Sequence, residues 1–198
     1  MIVVIDPGHG GSDSGAIGLS GLLEKDVTLR LAKMLSDRMQ RRPSHELLAT
    51  PLMTRTDDSY VSLTERCRIA NHIHRTVDRV AAFVSLHCNS FTAPAANGVE
   101  VWTSPGTTPA DSLATRIWLD FRATFPERRM RLDMTDGDED KEHPYSVLTG
   151  TVMPAVLVET AFISHYAEEQ LLRDRAWLAA VAGCLDHSID SWIRGGSA

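Results

Sequence analysis

Hydrophobic positions along the chain form short β-branched runs that alternate with segments of helical periodicity. The runs typical of strands occupy residues 2–6, 47–54, 80–88, 98–103 and 155–159. Several of them are almost continuously apolar, which is typical of strands that are covered on both faces. Pro51 has no amide hydrogen to donate to a sheet, so the second run is predicted to be an edge strand or a broken one.

Four segments between these runs place apolar residues three and four positions apart, as an amphipathic helix does. The stripes begin at Val27, Leu63, Leu113 and Leu178. Ser62, followed three residues later by Glu65, is a capping-box pattern that predicts the start of the second helix. Strands that alternate with helices predict one α/β domain, with a largely parallel sheet and helices on both faces. We assign residues 1–194 to this domain and residues 195–198 to a short flexible tail.

Composition and charge narrow the range of functions. The chain has 198 residues, 43% of them hydrophobic and 23% charged, which is ordinary for a soluble globular domain and excludes disorder or a collagen-like repeat. The net charge of -6 argues against a broad electrostatic surface for nucleic acid or an anionic membrane. Three cysteines without CxxC spacing fit neither a disulfide framework nor a thiolate zinc site.

The first residues bear on where the protein acts. Met1 is followed directly by the first apolar run, and no basic segment or small-residue cleavage site precedes it. We therefore expect either synthesis without a secretion signal or a leader that has been removed, and the sequence does not separate the two.

Residues 133–142 form the most acidic segment of the chain, with six carboxylates and one lysine. Charge runs of this kind usually face water, so a solvated loop is predicted.

Chemically active side chains fall at the predicted ends of strands. His9 follows the first strand in a glycine-rich turn, His87 ends the 80–88 run, Glu159 ends the 155–159 run, and Glu24 stands just before the first helix. The turn lacks the third glycine of a dinucleotide fingerprint and any Gly-Lys-Ser/Thr, so a nucleotide site is not expected. Ligands in open α/β folds bind at the carboxyl ends of strands. Two histidines and one glutamate would suit a hydrolytic zinc ion, leaving a second glutamate to move protons.

An ordered set of motifs over residues 2–185 resembles the zinc-dependent N-acetylmuramoyl-L-alanine amidases, the family that includes the bacterial cell-division and sporulation amidases. The matching segments are Asp6–Gly11, Glu24–Lys25, Thr54–Arg55 with Asp57, Leu63–Arg66, Ser85–Asn89, Gly98–Val101, and Pro154–Glu159 with Phe162–Ile163. The resemblance implies a mixed, mainly parallel sheet flanked by helices. It also implies cleavage of the amide between the lactyl group of N-acetylmuramic acid and L-alanine of the peptidoglycan stem peptide.

The resemblance also assigns roles to the candidate residues. It implies that His9, Glu24 and His87 hold one zinc ion, and that Glu159 is the catalytic glutamate. Zinc would polarise the scissile carbonyl and acidify water, and Glu159 would take the proton and pass it to the leaving amine. Asn89, two residues beyond His87, is expected to face the same side of the strand and to bind substrate or orient a ligand. Arg55 and Arg66 match the family pattern, and a structural ion pair is expected for each.

Two rival functions stay open at this stage. A carboxypeptidase-like zinc peptidase needs a basic clamp for a terminal carboxylate, and Arg55 or Arg129 could serve. The other rival function is that of a non-catalytic peptidoglycan-binding module. Such modules commonly lose a metal ligand or the catalytic glutamate, whereas this chain keeps all three ligands and the glutamate.

The remaining expectations concern partners, regulation and location. Residues 104–153 contain no obvious helix that would plug the site, so constitutive activity is the hypothesis. A muropeptide of peptidoglycan is the expected substrate, with no nucleic acid or membrane partner and a monomeric state. The site of action would be the cell wall, in the periplasm or outside the cell, for a phage endolysin or a bacterial autolysin.

Overall fold

A six-stranded sheet forms the centre of the computed structural model, which describes residues 1–43, 48–135 and 137–196. Within these residues the strand order is β2-β1-β3-β6-β4-β5. The strands are β1 (Ile2–Pro7), β2 (Thr50–Met53), β3 (Val80–Asn89), β4 (Glu100–Thr103), β5 (Lys141–Glu142) and β6 (Ala155–Phe162). The helices are α1 (Glu24–Gln40), α2 (Leu63–Thr76), α3 (Asp111–Thr124), α4 (Ser146–Thr149), α5 (Tyr166–Arg173) and α6 (Arg175–Arg194).

The sheet is mixed and mainly parallel, as predicted. β1 pairs in parallel with β2 and β3, and β3 pairs in parallel with β6. β4 runs antiparallel to β6 and parallel to β5. β2, which contains Pro51, lies at the sheet edge, where a missing amide hydrogen costs no ladder bond. Residue 47, where the predicted second run begins, lies outside the described residues.

Both faces of the sheet are covered by helices, which confirms the predicted layers. Alternate residues of β1 separate into two cores: Val3 and Ile5 pack with α1, α3 and α6, whereas Ile2 and Val4 pack with α2 and α4. Because each face is apolar and covered, the strand reads in sequence as one continuous hydrophobic run.

The four periodic segments are helices in the structure. The Ser62 side chain accepts the backbone N–H of Glu65, as the capping-box pattern predicts. The second hydrogen bond of a capping box, from the Ser62 backbone N–H to the Glu65 carboxylate, is absent among the described contacts, because that carboxylate pairs with Arg68 instead. Leu63 is also 56% exposed, so the predicted buried stripe wrongly includes it. None of the helices in the described ranges is both long and apolar enough to cross a membrane.

The acidic segment is only partly the solvated loop that its composition predicts. Asp140 is buried at 1% exposure, and its carboxyl accepts the Thr103 hydroxyl. Burial, together with the neighbouring Asp138, raises the pKa of Asp140 to about 8. The segment then ends in β5 rather than in solvent, because Lys141 pairs with Trp102 of β4.

α4 and α5 have four and eight residues, too short for a periodic signal in the sequence. α6 ends at Arg194, and residues 197 and 198 of the predicted tail lie outside the described part of the chain.

Candidate metal centre and catalytic cavity

The parallel strands β1, β3 and β6 bring the candidate residues together on the side of the sheet where the carboxyl ends of these strands lie. His9 follows the end of β1, while His87 and Glu159 are register partners on β3 and β6. Glu159 does not end its strand as predicted, because β6 continues to Phe162, which still pairs with Asn89 of β3. Glu24 is the first residue of α1 rather than the residue before it. All four side chains line one cavity of about 630 Å³. The structure therefore brings together the residues that the sequence singles out.

Three of these side chains converge on a common point. Glu24 Oε1 lies 2.9 Å from His87 Nδ1 and 3.1 Å from His9 Nε2. One donor atom from each residue lies within 4.8 Å of the other two. Two imidazole nitrogens and a carboxylate oxygen form the donor set of a catalytic zinc site with an open position. The donor chemistry thus fits a divalent ion such as zinc.

Glu24 is held as a carboxylate by its surroundings. Its Oε2 accepts the Ala16 amide at 2.8 Å and its Oε1 accepts the Cys88 amide at 3.0 Å. Burial opposes ionisation, but hydrogen bonds from His87 and His9 outweigh it and hold the pKa of Glu24 well below its usual value. A buried carboxylate that stays ionised is a ready cation ligand.

Asp13 is a functional candidate that the sequence reasoning missed. Its Oδ2 lies 2.9 Å from His9 Nδ1, on the ring edge opposite Glu24. A carboxylate there fixes the imidazole tautomer so that Nε2 stays available to a metal. Burial lowers the pKa of His9, but Glu24 and Asp13 outweigh it and raise that pKa. The available signal was the spacing of four residues from His9 within a tight turn.

Two glycines permit the close packing of the candidate ligands. A Cβ atom on Gly8 would lie 2.3 Å from the His87 ring. A Cβ on Gly15, which has φ of +63°, would lie 2.6 Å from the His9 ring and 2.7 Å from Glu24 Oε2. His9 itself has a positive φ of 60°, an uncommon conformation for a residue with a side chain.

A buried ion pair supports the His9 turn from below. Asp6 and Arg66 are almost fully buried, and Arg66 Nη1 donates to Asp6 Oδ1 at 2.6 Å. Arg66 Nη2 donates to the carbonyl oxygen of His9 at 2.6 Å. The predicted ion pair of Arg66 is confirmed, and it also holds the backbone of a candidate metal ligand.

The predicted ion pair of Arg55 is wrong within the residues that the structure describes. Its guanidinium donates to the carbonyl oxygens of Pro7, Gly8 and Lys25. These carbonyls belong to irregular backbone around the turn and need a donor, because buried polar groups are costly when unpaired. Arg55 therefore closes the turn and is not available as a substrate clamp. Arg129 is exposed and does not line the cavity.

Glu159 faces the cavity without a fixed partner. Its Oε2 is buried and accepts no hydrogen bond from the described residues. Burial, followed by the negative charges of Glu24 and Glu100, raises the pKa of Glu159 well above its usual value. A carboxyl group whose pKa is raised in this way is suited to exchange protons near neutral pH.

Asn89 lines the cavity, but its amide is engaged. Asn89 Nδ2 donates to Glu100 Oε2 at 2.7 Å. The β3–β6 register shifts between His87 and Asn89, so simple alternation does not govern their relative directions. The adjacent Cys88 is buried, in agreement with a core role.

The chain is similar to known proteins over nearly its whole length. The family profile described as N-acetylmuramoyl-L-alanine amidase matches residues 3–191. The YqiI protein of Bacillus subtilis is 31% identical over 192 residues, which span 96% of this chain and 84% of YqiI. The N-acetylmuramoyl-L-alanine amidase LytC of Bacillus subtilis is 31% identical over 194 residues, covering 97% of this chain but 35% of LytC. The chain thus spans most of the first relative and about a third of the second.

A solved structure is similar over its whole length. The N-acetylmuramoyl-L-alanine amidase AmiC2 of Nostoc punctiforme superposes with a TM-score of 0.83 and 31% identity, covering 98% of this chain and 97% of that one.

Proposed function

Because this chain belongs to the N-acetylmuramoyl-L-alanine amidase family, we propose that it hydrolyses the amide between the lactyl group of N-acetylmuramic acid and L-alanine of the stem peptide. The observation that carries the proposal is the cavity in which His9, Glu24 and His87 face the unpartnered Glu159. Ligand set and proton acceptor are the two components that metal-assisted amide hydrolysis requires.

The proposed roles follow from the surroundings of each residue. His9, Glu24 and His87 would hold one zinc ion, which supplies Lewis acidity that polarises the scissile carbonyl and acidifies water. Glu159 accepts a proton from the attacking water and delivers it to the nitrogen of the leaving L-alanine. Asp13 keeps the His9 ring oriented. Asn89 contributes to substrate binding through the cavity wall.

The rival functions lose support from particular side chains. A carboxypeptidase-like reaction would use Arg55 or Arg129 to bind a terminal carboxylate, but the first is committed to backbone carbonyls and the second lies outside the cavity. A non-catalytic binding module would not need Glu159 to be left unpaired at a cost in desolvation.

We propose one catalytic domain over residues 1–194, acting as a monomer on the muropeptides of the cell wall, outside the cytoplasmic membrane. We also propose activity without an activator, supported by a cavity of about 630 Å³ that the described residues leave unfilled. Nucleic acid and membrane partners are not part of the proposal.

The test is mass spectrometry of products released from purified peptidoglycan, with zinc present and again after chelation. Free stem peptides that begin at L-alanine, released only with metal, are expected. Shortened peptides still attached to muramic acid would contradict the proposal in favour of a peptidase. No products with zinc and no activator would contradict constitutive activity.

Two variants test the assigned roles. Glu159→Gln should fold and retain zinc but lose turnover, whereas the exposed Glu127→Gln on the surface should match the wild type. His87→Ala should lose zinc, measured by metal analysis of the dialysed protein. The control is His72→Ala, at an exposed position of α2, which should keep its zinc. Near-normal turnover of Glu159→Gln would contradict its role as the proton acceptor. Full zinc content in His87→Ala would contradict its role as a metal ligand.

A further inference from the structure

A second cavity of about 370 Å³ opens beside the catalytic one. We call it the side pocket, and its wall is formed by Glu100, Trp102, Arg131 and Lys141 with neighbouring aromatic rings. Asn89, Tyr145 and Glu159 line both cavities, so the side pocket is continuous with the catalytic cavity. Glu100 and Glu159 are register partners on β4 and β6, which places their Cα atoms roughly 5 Å apart. A molecule cleaved beside Glu159 would therefore lie next to the side pocket.

Glu100 organises the charged wall of this pocket. It is buried at 3% exposure and accepts four hydrogen bonds. Its Oε1 accepts from Arg131 Nε at 2.6 Å and Lys141 Nζ at 3.0 Å. Its Oε2 accepts from Asn89 and Trp102. One carboxylate thus fixes the two cations, and Glu159 is the other carboxyl group in the pocket wall.

The two cations are also fixed by aromatic rings. The Arg131 guanidinium carbon lies 5.3 Å from the centre of the Phe162 ring, and Lys141 Nζ lies 4.8 Å from the centre of the Trp102 ring. Such contacts favour a cation and restrict its side-chain rotamers. Arg131 and Lys141 keep 28% and 21% of their side-chain surface exposed, so neither is closed off from a ligand.

The geometry leaves hydrogen-bond donors free for an anion. Glu100 accepts a hydrogen bond only from the Nε of Arg131. The Nη1 and Nη2 groups of Arg131 have no acceptor among the residues that the structure describes. A guanidinium edge with two parallel N–H groups matches a carboxylate in a bidentate arrangement. Lys141 Nζ has two further protons to donate beyond the one that Glu100 accepts.

We infer that Arg131 and Lys141 bind a carboxylate of the stem peptide, carried by the residue that follows L-alanine. This inference rests on the proposed amidase function, which puts the scissile bond beside Glu159 and the peptide on its leaving side. We assign the second residue of the peptide to the side pocket because that pocket shares the Glu159 wall with the catalytic cavity and presents two cations to a carboxylate. Glu100 is a positioning residue in this arrangement, because it fixes the two cations and is itself fully engaged.

The test compares two synthetic muramoyl peptides that differ in one group. Both are N-acetylmuramoyl-L-alanyl-γ-D-glutamyl peptides, one with a free α-carboxylate on the glutamyl residue and one with that group amidated. The wild-type enzyme with zinc should show a kcat/KM on the order of tenfold higher for the free acid, since charge-assisted hydrogen bonds are stronger than neutral ones. The preference should reside mainly in KM, because the contact is made in the ground state and the transition state alike.

Variants assign the preference to the side pocket. Arg131→Gln should bring the acid-to-amide ratio close to one, and Lys141→Gln should reduce it. Arg122→Gln is the matched control, because Arg122 also lies over a ring, that of Trp118 on α3, but does not line the pocket. It should keep the wild-type ratio.

Each contrary outcome has a distinct meaning. Equal wild-type rates on both substrates, or an unchanged ratio in Arg131→Gln, would overturn the carboxylate site and leave the amidase function standing. An equal loss on both substrates in Arg131→Gln would show a purely structural role and would also overturn it. Failure of the wild type to release either peptide at L-alanine would overturn the proposed function, and the carboxylate site with it.

Discussion

The buried Asp6–Arg66 pair supports the turn that carries His9, and its removal is the sharpest test of that support. Arg66→Met keeps most of the side-chain volume but removes the charge and the donors to Asp6, Pro7 and His9. Asp6 would retain hydroxyl donors from Thr54 and Ser85, but none of the described cations would donate a hydrogen bond to it. Leaving one member of a buried pair uncompensated costs about 3–5 kcal/mol.

That loss is large in relation to the stability of a typical domain, which is about 5–15 kcal/mol. We therefore expect the urea midpoint of Arg66→Met to fall by a large fraction, with an unchanged m-value. The double variant Asp6→Asn with Arg66→Met should recover part of the loss, because the buried charge is then gone on both sides. Zinc affinity should fall in both variants, since the His9 carbonyl loses its donor in each.

Arg68→Met is the matched control on the same helix. Arg68 also forms two hydrogen bonds to a carboxylate, that of Glu65, but its side chain is 64% exposed. Exposed pairs contribute little, so its urea midpoint should stay within experimental error. Equal losses for Arg66→Met and Arg68→Met would refute the reasoning from burial. Normal zinc affinity in a folded Arg66→Met protein would refute the link between the ion pair and the turn.

Three further predictions concern the metal centre and the acidic segment. Asp13→Asn should weaken zinc affinity about 10- to 100-fold, measured by competition with a chromogenic chelator, because the hydrogen bond that orients the imidazole is weakened. Gly8→Ala should fold but lose zinc on dialysis, because the new methyl group would displace His87, whereas Gly183→Ala has room and should retain it. Between pH 4 and 8 the folded protein binds a proton at Asp140 that the unfolded chain does not, so this group makes stability fall as pH rises. Asp140→Asn should therefore raise the melting temperature more at pH 8 than at pH 5, and an equal shift at both would contradict the assignment.

The sequence predicts the fold well where the signal is long and periodic. The stripes that begin at Val27 and Leu178 mark helices of 17 and 20 residues, each with many buried apolar positions. Pro51 correctly indicates an edge strand because its effect is a simple missing donor. α4, α5 and β5 escape prediction because two to eight residues carry too few positions for a period to emerge.

The sequence also predicts the candidate site only in part. His9 follows β1, His87 lies near the carboxyl end of β3, and Glu159 is its register partner within β6, so the topology of a parallel sheet is enough to bring them together. The sequence alone does not reveal the partners of the arginines. Arg55 donates to backbone carbonyls, whereas Arg131 faces a cavity. Which partner a long charged side chain meets depends on loop conformations that no local pattern encodes.

The order of strands in the sheet also has a consequence for how the protein acquires activity as it folds. β1, β3 and β6 are neighbours in space but lie far apart along the chain, and all three must pair before the ligands meet. Parallel pairings of this kind have high contact order and form slowly, after costly loop closures. No local fragment carries the complete set of His9, Glu24, His87 and Glu159, so the hydrolase arises together with the native topology. We therefore expect a chain in which these strands have not yet paired to be inactive.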